Sequence, residues 1–350
     1  MARILYGIPG EGYGHAVRAK TVIDFLIKKG HKVKIAAGGN AYTYLKRYYP
    51  VERIGCFYFI YRQNKVSQIE TGIYSIIKFP FVVLYNLKLF LIYRKFRPEI
   101  ILTDFEPFTS YLSWITNKPS ISLDAPFLNK HMVRALKVKE MPWHSLGYFF
   151  ANLIVTAFTP RLDRCITSCF FRAKVSKKVT LVSSILRDSI KNSKPKEGSH
   201  IIVYQTAKSH KGLIKTLAKI KEEFTVYGFD KERKIKNIRL KKFDEKGFAA
   251  DLSKAKAVIC TGGYNLIAES LYLKKPILSI PIKHQYERFL NSYYLKKTGY
   301  GEIGENFDKE TIIKFIENIG KYKKALKNSK KENPDEYEEV LEKAIREFNK

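Results

Sequence analysis

The clearest indication of the fold comes from residues 260–301, CTGGYNLIAESLYLKKPILSIPIKHQYERFLNSYYLKKTGYG. An apolar strand ends where it begins, two glycines follow, and residues 264–273 carry apolar side chains at helical spacing. A short apolar run at residues 277–280 predicts a second strand, and residues 286–296 predict a second helix. Strands and helices that alternate in this way are typical of a parallel sheet covered by helices. The stretch therefore predicts an α/β domain.

The same alternation extends through the rest of the chain. In the first half, residues 4–8, 33–37, 99–103 and 120–123 are predicted strands, and residues 15–29 are a predicted helix. A polar stretch containing Pro and Gly separates this half from a second half with the same rhythm. We therefore predict an α/β protein with two doubly wound, Rossmann-like domains, divided into a first domain (1–186), a linker (187–199), a second domain (200–325) and a charged C-terminal helix (326–350).

The charge balance is strongly basic, with 64 Lys and Arg against 33 Asp and Glu and a formal net charge of +31. Such a surplus favours a polyanionic neighbour, which is nucleic acid, anionic lipid or a phosphorylated substrate. A Lys-rich proteome produces the same surplus without any partner. No RRM or zinc-finger motif is present, so we expect no specific nucleic-acid partner.

Four cysteines are present without a C-x-x-C pair or an accompanying histidine cluster: Cys56, Cys165, Cys169 and Cys260. This pattern predicts no metal site and is typical of free thiols in a reducing cytoplasm. The N-terminus is a predicted strand, interrupted by glycine too early for the apolar region of a signal peptide. We therefore expect a cytoplasmic location.

The longest apolar stretch, residues 73–96, is interrupted by charges, a proline and an asparagine, so we do not predict a membrane-spanning helix. It lies either in a membrane interface or in the core. Its aromatic residues stand among basic ones: Tyr85, Phe90, Tyr93 and Phe96 beside Lys88, Arg94, Lys95 and Arg97. This suits a lipid-linked acceptor at an anionic leaflet, with the protein peripheral on the inner membrane face. A core helix with a basic solvent face has the same pattern.

A glycine-rich loop, Gly10-Glu11-Gly12-Tyr13-Gly14-His15, follows the first strand and opens the first helix. Gly12 and Gly14 allow a ligand to approach the backbone at the helix N-terminus. The second strand ends without the acid that binds the ribose of a dinucleotide, which disfavours NAD and FAD. An imidazole at His15 can accept a hydroxyl proton at neutral pH, although a helix-capping or surface histidine also fits.

The second glycine loop carries the residue types of a nucleotide site. Gly262 and Gly263 stand at a helix N-terminus, whose N–H groups suit a diphosphate. Glu269 follows on the second turn, where a carboxylate can accept hydrogen bonds from ribose hydroxyls. Taken singly, Glu269 also fits a solvated helix residue, and Gln285 and Glu287 fit an ordinary polar loop.

In order and spacing, this set resembles the donor-site signature of MurG-like and UDP-glycosyltransferase enzymes, which have the GT-B fold. The residues that carry the resemblance are Gly262, Gly263, Glu269, Lys275, Pro276, Pro281, Gln285, Glu287 and Asn291. The loop Gly12-Tyr13-Gly14-His15 with Arg18-Ala19 is similar to the first loop of the same superfamily. Thr261 and His284 depart from the pattern, because many relatives have a histidine and an acid at these positions.

The resemblance implies a GT-B fold in which the first, acceptor-side domain and the second, donor-binding domain face a cleft. It implies a glycosyltransferase that needs neither metal nor cofactor and moves a sugar from a UDP-linked donor to an acceptor with inversion. The implied donor-binding residues are Gly262, Gly263, Asn265, Glu269, His284, Gln285 and Glu287, and Gly12 and Gly14 form the acceptor-side loop. His15 would be the general base. Asp104 follows a predicted strand on the same sheet edge and would orient it.

Two other functions stay open on sequence alone. A nucleotide-sugar epimerase shares the two-domain fold, but it needs carboxylates placed for proton abstraction, and none is identifiable. A non-catalytic protein that binds nucleic acid or lipid would account for the net charge of +31 without any chemistry.

Overall fold

The computed structural model of the chain describes residues 1–11, 13–62, 65–126, 130–135, 144–205, 212–329 and 332–349. The chain folds into two compact units. The first unit comprises Met1–Ile60, Ser67–Ile185 and Asn333–Lys350, and the second comprises Tyr61–Val66 and Leu186–Glu332. Each unit contains a seven-stranded sheet.

Strands and helices alternate through both units. In chain order the strands are β1 (Arg3–Ile8), β2 (Lys32–Ala37), β3 (Val51–Arg53), β4 (Tyr61–Arg62), β5 (Lys65–Val66), β6 (Ile100–Thr103), β7 (Ser120–Asp124), β8 (Arg164–Ser168), β9 (Val179–Val182), β10 (Ile201–Tyr204), β11 (Phe224–Tyr227), β12 (Arg233–Ile235), β13 (Ile238–Leu240), β14 (Ala257–Cys260), β15 (Ile277–Ser279) and β16 (Gly301–Ile303). The helices are α1 (Gly14–Lys28), α2 (Gly39–Leu45), α3 (Gln68–Asn86), α4 (Lys88–Phe96), α5 (Pro107–Ile115), α6 (Lys130–Ala135), α7 (His144–Phe158), α8 (Asp188–Lys191), α9 (Leu213–Leu217), α10 (Glu245–Ser253), α11 (Tyr264–Tyr272), α12 (Tyr286–Lys297), α13 (Lys309–Glu317), α14 (Ile319–Lys327) and α15 (Glu336–Phe348).

The sheet of the first unit has the strand order β3-β2-β1-β6-β7-β8-β9, and every neighbouring pair is parallel. Successive residues of β1 face opposite sides of the sheet. Ile4 and Tyr6 therefore join the core with α1, whereas Leu5 joins a smaller core with α4 and α5. Helices cover both faces, which confirms a doubly wound arrangement in this unit.

The C-terminal helix α15 belongs to the first unit, where Tyr337, Leu341 and Ile345 are buried in the core with α1. The sequence predicted a single charged helix over residues 326–350. In the structure α14 ends early in this range, and α15 begins after Pro334. Pro334 lies just before the N-cap of α15, where the missing N–H of proline costs no helical hydrogen bond.

The sheet of the second unit has the order β12-β13-β11-β10-β14-β15-β16, and its strands are parallel except for the antiparallel pair of β12 and β13. Its core contains Val203, Ile259 and Leu278 from the central strands. The hairpin of β4 and β5 also belongs to this unit, since Val66 N donates to Lys283 O at 3.2 Å.

Residues 187–199, which the sequence analysis treated as a linker, are packed into the second unit. Ile190 on α8 is fully buried, and α8 contacts α10. Lys196 N donates to Ser253 O at 2.8 Å. This stretch is therefore part of the second unit and not a separate linker, because its backbone and the Ile190 side chain contact that unit.

The apolar stretch of the first unit forms a nearly continuous helix. Leu87 alone separates α3 from α4, and its backbone is itself helical. Together the two helices run from Gln68 to Phe96, 29 residues with a mean hydropathy of 1.7 over the most apolar window, of which 11% is buried. The helix is long and apolar enough to cross a membrane, which the sequence analysis did not predict. Its exposure also argues against the core environment considered there.

Candidate functional site

The first unit brings His15 and Asp104 together. Strands β1 and β6 are neighbours, with Gly7 opposite Thr103, so the loops that follow both strands lie at one carboxyl edge. His15, in the first turn of α1, has its Nδ1 3.1 Å from Asp104 Oδ1. The Asp104 side chain is fully buried and the His15 side chain is 20% exposed. The two groups are thus in hydrogen-bonding contact, with the imidazole partly open to solvent.

Arg18 is a third member of this group, and the sequence analysis gave it no chemical role. Its Nη2 donates to the same Asp104 Oδ1 and lies 3.3 Å from His15 Nδ1. Burial by itself raises the pKa of Asp104, but the charges and hydrogen bonds of Arg18 and His15 outweigh it and hold the pKa below its ordinary value. In the tautomer whose Nδ1–H donates to the ionised Asp104, Nε2 is the acceptor of the ring.

The signal for Arg18 was its spacing. His15 and Arg18 are three residues apart on a predicted helix, so they share one helix face. What the spacing could not indicate is that Arg18 is 4% exposed and directed at the same carboxylate oxygen.

Glu106, two residues after Asp104, has a structural role. It precedes α5, and its carboxylate accepts from Phe108 N at 3.0 Å, Thr109 N at 2.7 Å and Thr109 Oγ1 at 2.6 Å. These are the bonds of a helix N-cap. Asp104-Phe105-Glu106 therefore does not present two carboxylates to a ligand. Within the described ranges, no three His, Cys, Asp or Glu side chains are placed to hold a metal ion.

The acceptor-side loop is partly described. Gly14 is the first residue of α1, whereas Gly12 lies outside the described residues. Just before them, a Cβ on Gly10 would lie 2.3 Å from Cys56 Sγ and 2.9 Å from Gly39 N. The loop is therefore held against the turn before α2 by an approach that requires glycine.

A cluster of phenylalanines lies beside the histidine–aspartate pair. Phe105, the residue after the aspartate, has its ring 5.4 Å from Phe158 on α7, which lies 6.3 Å from Phe57. Phe57 also stacks on Phe79 of α3 at 6.4 Å and on Phe108 of α5 at 6.3 Å. None of the five rings is fully buried. This phenylalanine cluster forms a partly exposed apolar surface that includes the residue following Asp104.

In the second unit, the Gly262–Gly263 turn joins β14 to α11 and is held by side chains of α12. Arg288 Nη1 donates to Thr261 O at 3.0 Å and to Thr261 Oγ1 at 2.9 Å. Asn291 Nδ2 donates to Gly262 O at 3.0 Å. No side chain of the preceding residue caps α11 or α12, and the two helices contact each other. The turn therefore presents helix N-termini beside a guanidinium, an arrangement that suits an anion.

Gly262→Ala is expected to lower the free energy of unfolding of the second unit by about 1–3 kcal/mol. Gly262 has a φ of +79°, and a Cβ there would lie 2.7 Å from Arg288 O. Gly263→Ala is the matched control, because its φ is −70° and its nearest neighbour would be 3.6 Å away. The control should lose less than about 1 kcal/mol, which reflects the N-cap preference. Urea denaturation measures both, and equal losses would contradict the assignment of strain to Gly262.

Glu269 forms a buried ion pair that the sequence did not reveal. Its Oε2 accepts from Arg187 Nη2 at 2.6 Å, and each side chain is 7% exposed. Burial raises the pKa of Glu269, and the charge and hydrogen bond of Arg187 act in the opposite direction. The Arg187 guanidinium also lies over the rings of Phe243 and Phe248, at 5.7 and 5.4 Å. The carboxylate predicted to face a ribose is thus engaged with a residue that had been assigned to the linker.

The remaining predicted donor residues lie near the N-terminal ends of α11 and α12. His284 is exposed, with a φ of +65°, Gln285 is the residue before α12, and Glu287 is in its first turn. Glu287 Oε1 accepts from Asn291 Nδ2 at 3.4 Å, which links it to the glycine turn that Asn291 also contacts. Asn265 is half-buried in the first turn of α11.

Comparison with known proteins gives one family and one fold. The family model for glycosyl transferase family 1 matches residues 2–320. No curated protein matches the sequence. Among solved structures, spinosyn forosaminyltransferase SpnP is 11% identical over 99% of both chains, with a TM-score of 0.68.

Two further solved structures contain nucleotides. UGT89C1 of Arabidopsis thaliana, complexed with UDP, is 14% identical over 99% of both chains, with a TM-score of 0.66. Spinosyn rhamnosyltransferase SpnG, complexed with thymidine diphosphate, is 12% identical over 99% of this chain and 100% of that one, with a TM-score of 0.65. At such identities the likeness establishes the fold, two doubly wound units of the GT-B kind.

Proposed function

The chain belongs to glycosyl transferase family 1, and we propose that it moves a sugar from a UDP-linked donor to a lipid-linked acceptor at the cytoplasmic face of a membrane. The family makes it a glycosyltransferase. It also decides against the epimerase and the non-catalytic binding protein that stayed open on sequence alone.

The observation that carries the donor proposal is the Gly262–Gly263 turn. A diphosphate placed there would meet the N-terminal ends of α11 and α12 and the Arg288 guanidinium, which holds the turn from the side. These groups would stabilise the negative charge that develops on the leaving diphosphate, so no metal or cofactor is required. UGT89C1 and SpnG, which share the fold, were solved with UDP and thymidine diphosphate. These ligands favour a pyrimidine nucleotide, and we propose UDP.

A thermal-shift screen against UDP-, GDP- and dTDP-sugars tests the donor. UDP-sugars should raise the melting temperature most, since a ligand at 100 times its Kd stabilises the folded state by about 2.7 kcal/mol. Arg288→Met should reduce the shift. Arg233→Met is the matched control, because it removes an exposed guanidinium from β12 at the edge of the same sheet. The absence of a shift with every nucleotide sugar would contradict the proposed function.

In the proposed reaction His15 is the general base. Its Nδ1–H donates to Asp104, which is held ionised by Arg18, so Nε2 is free of that bond and takes the acceptor's hydroxyl proton. The acceptor oxygen then bonds to the anomeric carbon as the bond from that carbon to the diphosphate breaks. Direct displacement inverts the anomeric configuration.

The acceptor proposal is supported by the phenylalanine cluster. It includes Phe105, the residue after Asp104, and its rings are partly exposed, so a hydroxyl at His15 could be attached to a long apolar group that packs on them. Exposed basic residues of α4, Arg94 and Lys95, suit an anionic leaflet. The four cysteines are free thiols, compatible with a cytoplasmic location.

A further inference from the structure

An extensive exposed apolar surface of the first unit is formed by neighbouring helices. Along α3 and α4, exposed side chains recur at spacings of three and four residues: Ile73, Ile77, Phe81, Leu84, Leu87 and Leu91. Trp114 and Ile115 on α5 are 56% and 71% exposed, and Phe149 and Leu153 on α7 are 59% and 54% exposed. Helix α5 contacts both α4 and α7. These ten residues are called the apolar face below.

A water-soluble protein rarely exposes so many large apolar side chains on adjoining elements, because each keeps apolar area in contact with water. Most exposed large apolar side chains in the described part of the chain lie on these helices. Such a concentration indicates a surface that contacts another molecule or a membrane when the protein functions.

The long helix is fastened to the first unit at two places. Near its start, Ile60 N donates to Thr71 Oγ1 at 3.0 Å. Further on, Asn86 bonds to both Gly55 N and Gly55 O, at 2.8 and 3.1 Å, and Leu89 is buried in the core with the sheet. A helix held at Thr71 and again at Asn86 and Leu89 cannot cross a bilayer without drawing the unit in after it. The part of the apolar face on α3 and α4 can instead lie in the plane of a membrane interface.

The charged side chains of α3 and α4 are complementary to anionic lipid. Between Gln68 and Phe96 the one acid is Glu70, whereas Lys78, Lys88, Arg94 and Lys95 are basic. Lys88 Nζ lies 4.1 Å from the centre of the Tyr85 ring, so its stem covers apolar surface while its ammonium stays near water. Basic side chains on an apolar helix of this kind reach lipid phosphates from a shallow position in the membrane.

We propose that the first unit binds membranes by inserting the apolar face into the acyl region of one leaflet, with the basic side chains of α3 and α4 on anionic headgroups. This inference rests on the proposed function, which places the protein at a membrane face. It adds that apolar side chains enter the leaflet and do not only contact its surface. Insertion is driven by apolar burial, which salt does not screen. Binding therefore has a salt-resistant part as well as an electrostatic part.

The test is co-sedimentation of the full chain with preformed vesicles, either phosphatidylcholine alone or with about one third phosphatidylglycerol. Ile73→Ser with Leu84→Ser removes two side chains that are 54% and 65% exposed. Ile27→Ser with Tyr48→Ser is the matched control in the same unit, since both residues are 50% exposed and lie off the apolar face. The face variant should bind at least about tenfold more weakly, as expected for two large apolar side chains left out of the bilayer. The control should bind like the unchanged chain.

Anionic lipid should strengthen binding, and a substantial fraction should persist at high salt. No binding to either vesicle, equal binding by the two double variants, or complete loss at high salt would overturn the inference. So would light scattering that shows the unchanged chain as a dimer and the face variant as a monomer, because the face would then be an interface between two copies.

The nucleotide-sugar thermal shift, measured on the same variants without lipid, separates this inference from the donor site. The face variant should retain the shift. A chain that binds vesicles yet responds to no nucleotide sugar would contradict the proposed function and support the insertion. A chain that shows the thermal shift but does not bind vesicles would contradict the insertion and support the donor site.

Discussion

Turnover is expected to fall by about 10²–10⁴ when His15 is replaced with alanine, because general-base catalysis contributes about this much. The imidazole is 20% exposed and bonds to Asp104, so urea denaturation of the variant is the control for an intact fold. Affinity for the donor should be nearly unchanged, since the donor residues belong to the second unit. Steady-state kinetics with a hydroxyl acceptor, together with the thermal shift by the donor, measures the two effects separately.

His15→Gln is the companion variant, since it keeps a hydrogen-bonding side chain near Asp104 but cannot take up the proton. It should be as slow as His15→Ala if His15 acts as a base. If both variants turn over at nearly the unchanged rate, the base role is contradicted. That result would indicate an acceptor whose attacking group is already ionised, such as a phosphate, with His15 engaged in binding it.

Asp104→Asn is expected to lower the free energy of unfolding of the first unit by about 3–5 kcal/mol, because it leaves a buried cation without its partner. Arg18 is 4% exposed, and its guanidinium is directed at the Asp104 carboxylate. Urea denaturation, with amide hydrogen exchange in β1 as a local probe, measures the loss. Glu52→Gln is the matched control, because Glu52 pairs with Lys34 at 2.7 Å and is 39% exposed. That change should cost less than about 1 kcal/mol.

The pH dependence of stability has a defined sign. The folded-state pKa of Asp104 is lowered, so its contribution is fully present above the ordinary carboxyl pKa of about 3.9 and is lost as pH falls through the folded value. The Asp104→Asn variant lacks this acid-dependent loss. Adding Arg18→Met to Asp104→Asn should restore part of the stability, since no buried charge is then left unpaired. A loss no larger than that of Glu52→Gln would contradict the role of the pair.

Much of the fold follows from local pattern. The predicted strands at 4–8 and 33–37 lie within β1 and β2, and the helix predicted from residue 286 begins where α12 does. Buried parallel strands are short apolar runs bounded by polar residues, and such runs are visible in a single sequence. The turn at Gly262 could be predicted in the same way, because a turn between a strand and a helix requires a backbone conformation that other residues rarely adopt.

The α/β class, the two glycine loops and the residues that follow each strand could be predicted, since these depend on neighbours close in the chain. Which charges meet depends instead on the tertiary structure. Arg18 reaches Asp104 across 86 positions and Arg187 reaches Glu269 across 82. The tertiary structure also places α15 in the core of the first unit and leaves the apolar side chains of α3 and α4 exposed. Periodicity shows that a side chain prefers apolar surroundings, but which partner supplies them depends on strand register and long-range packing.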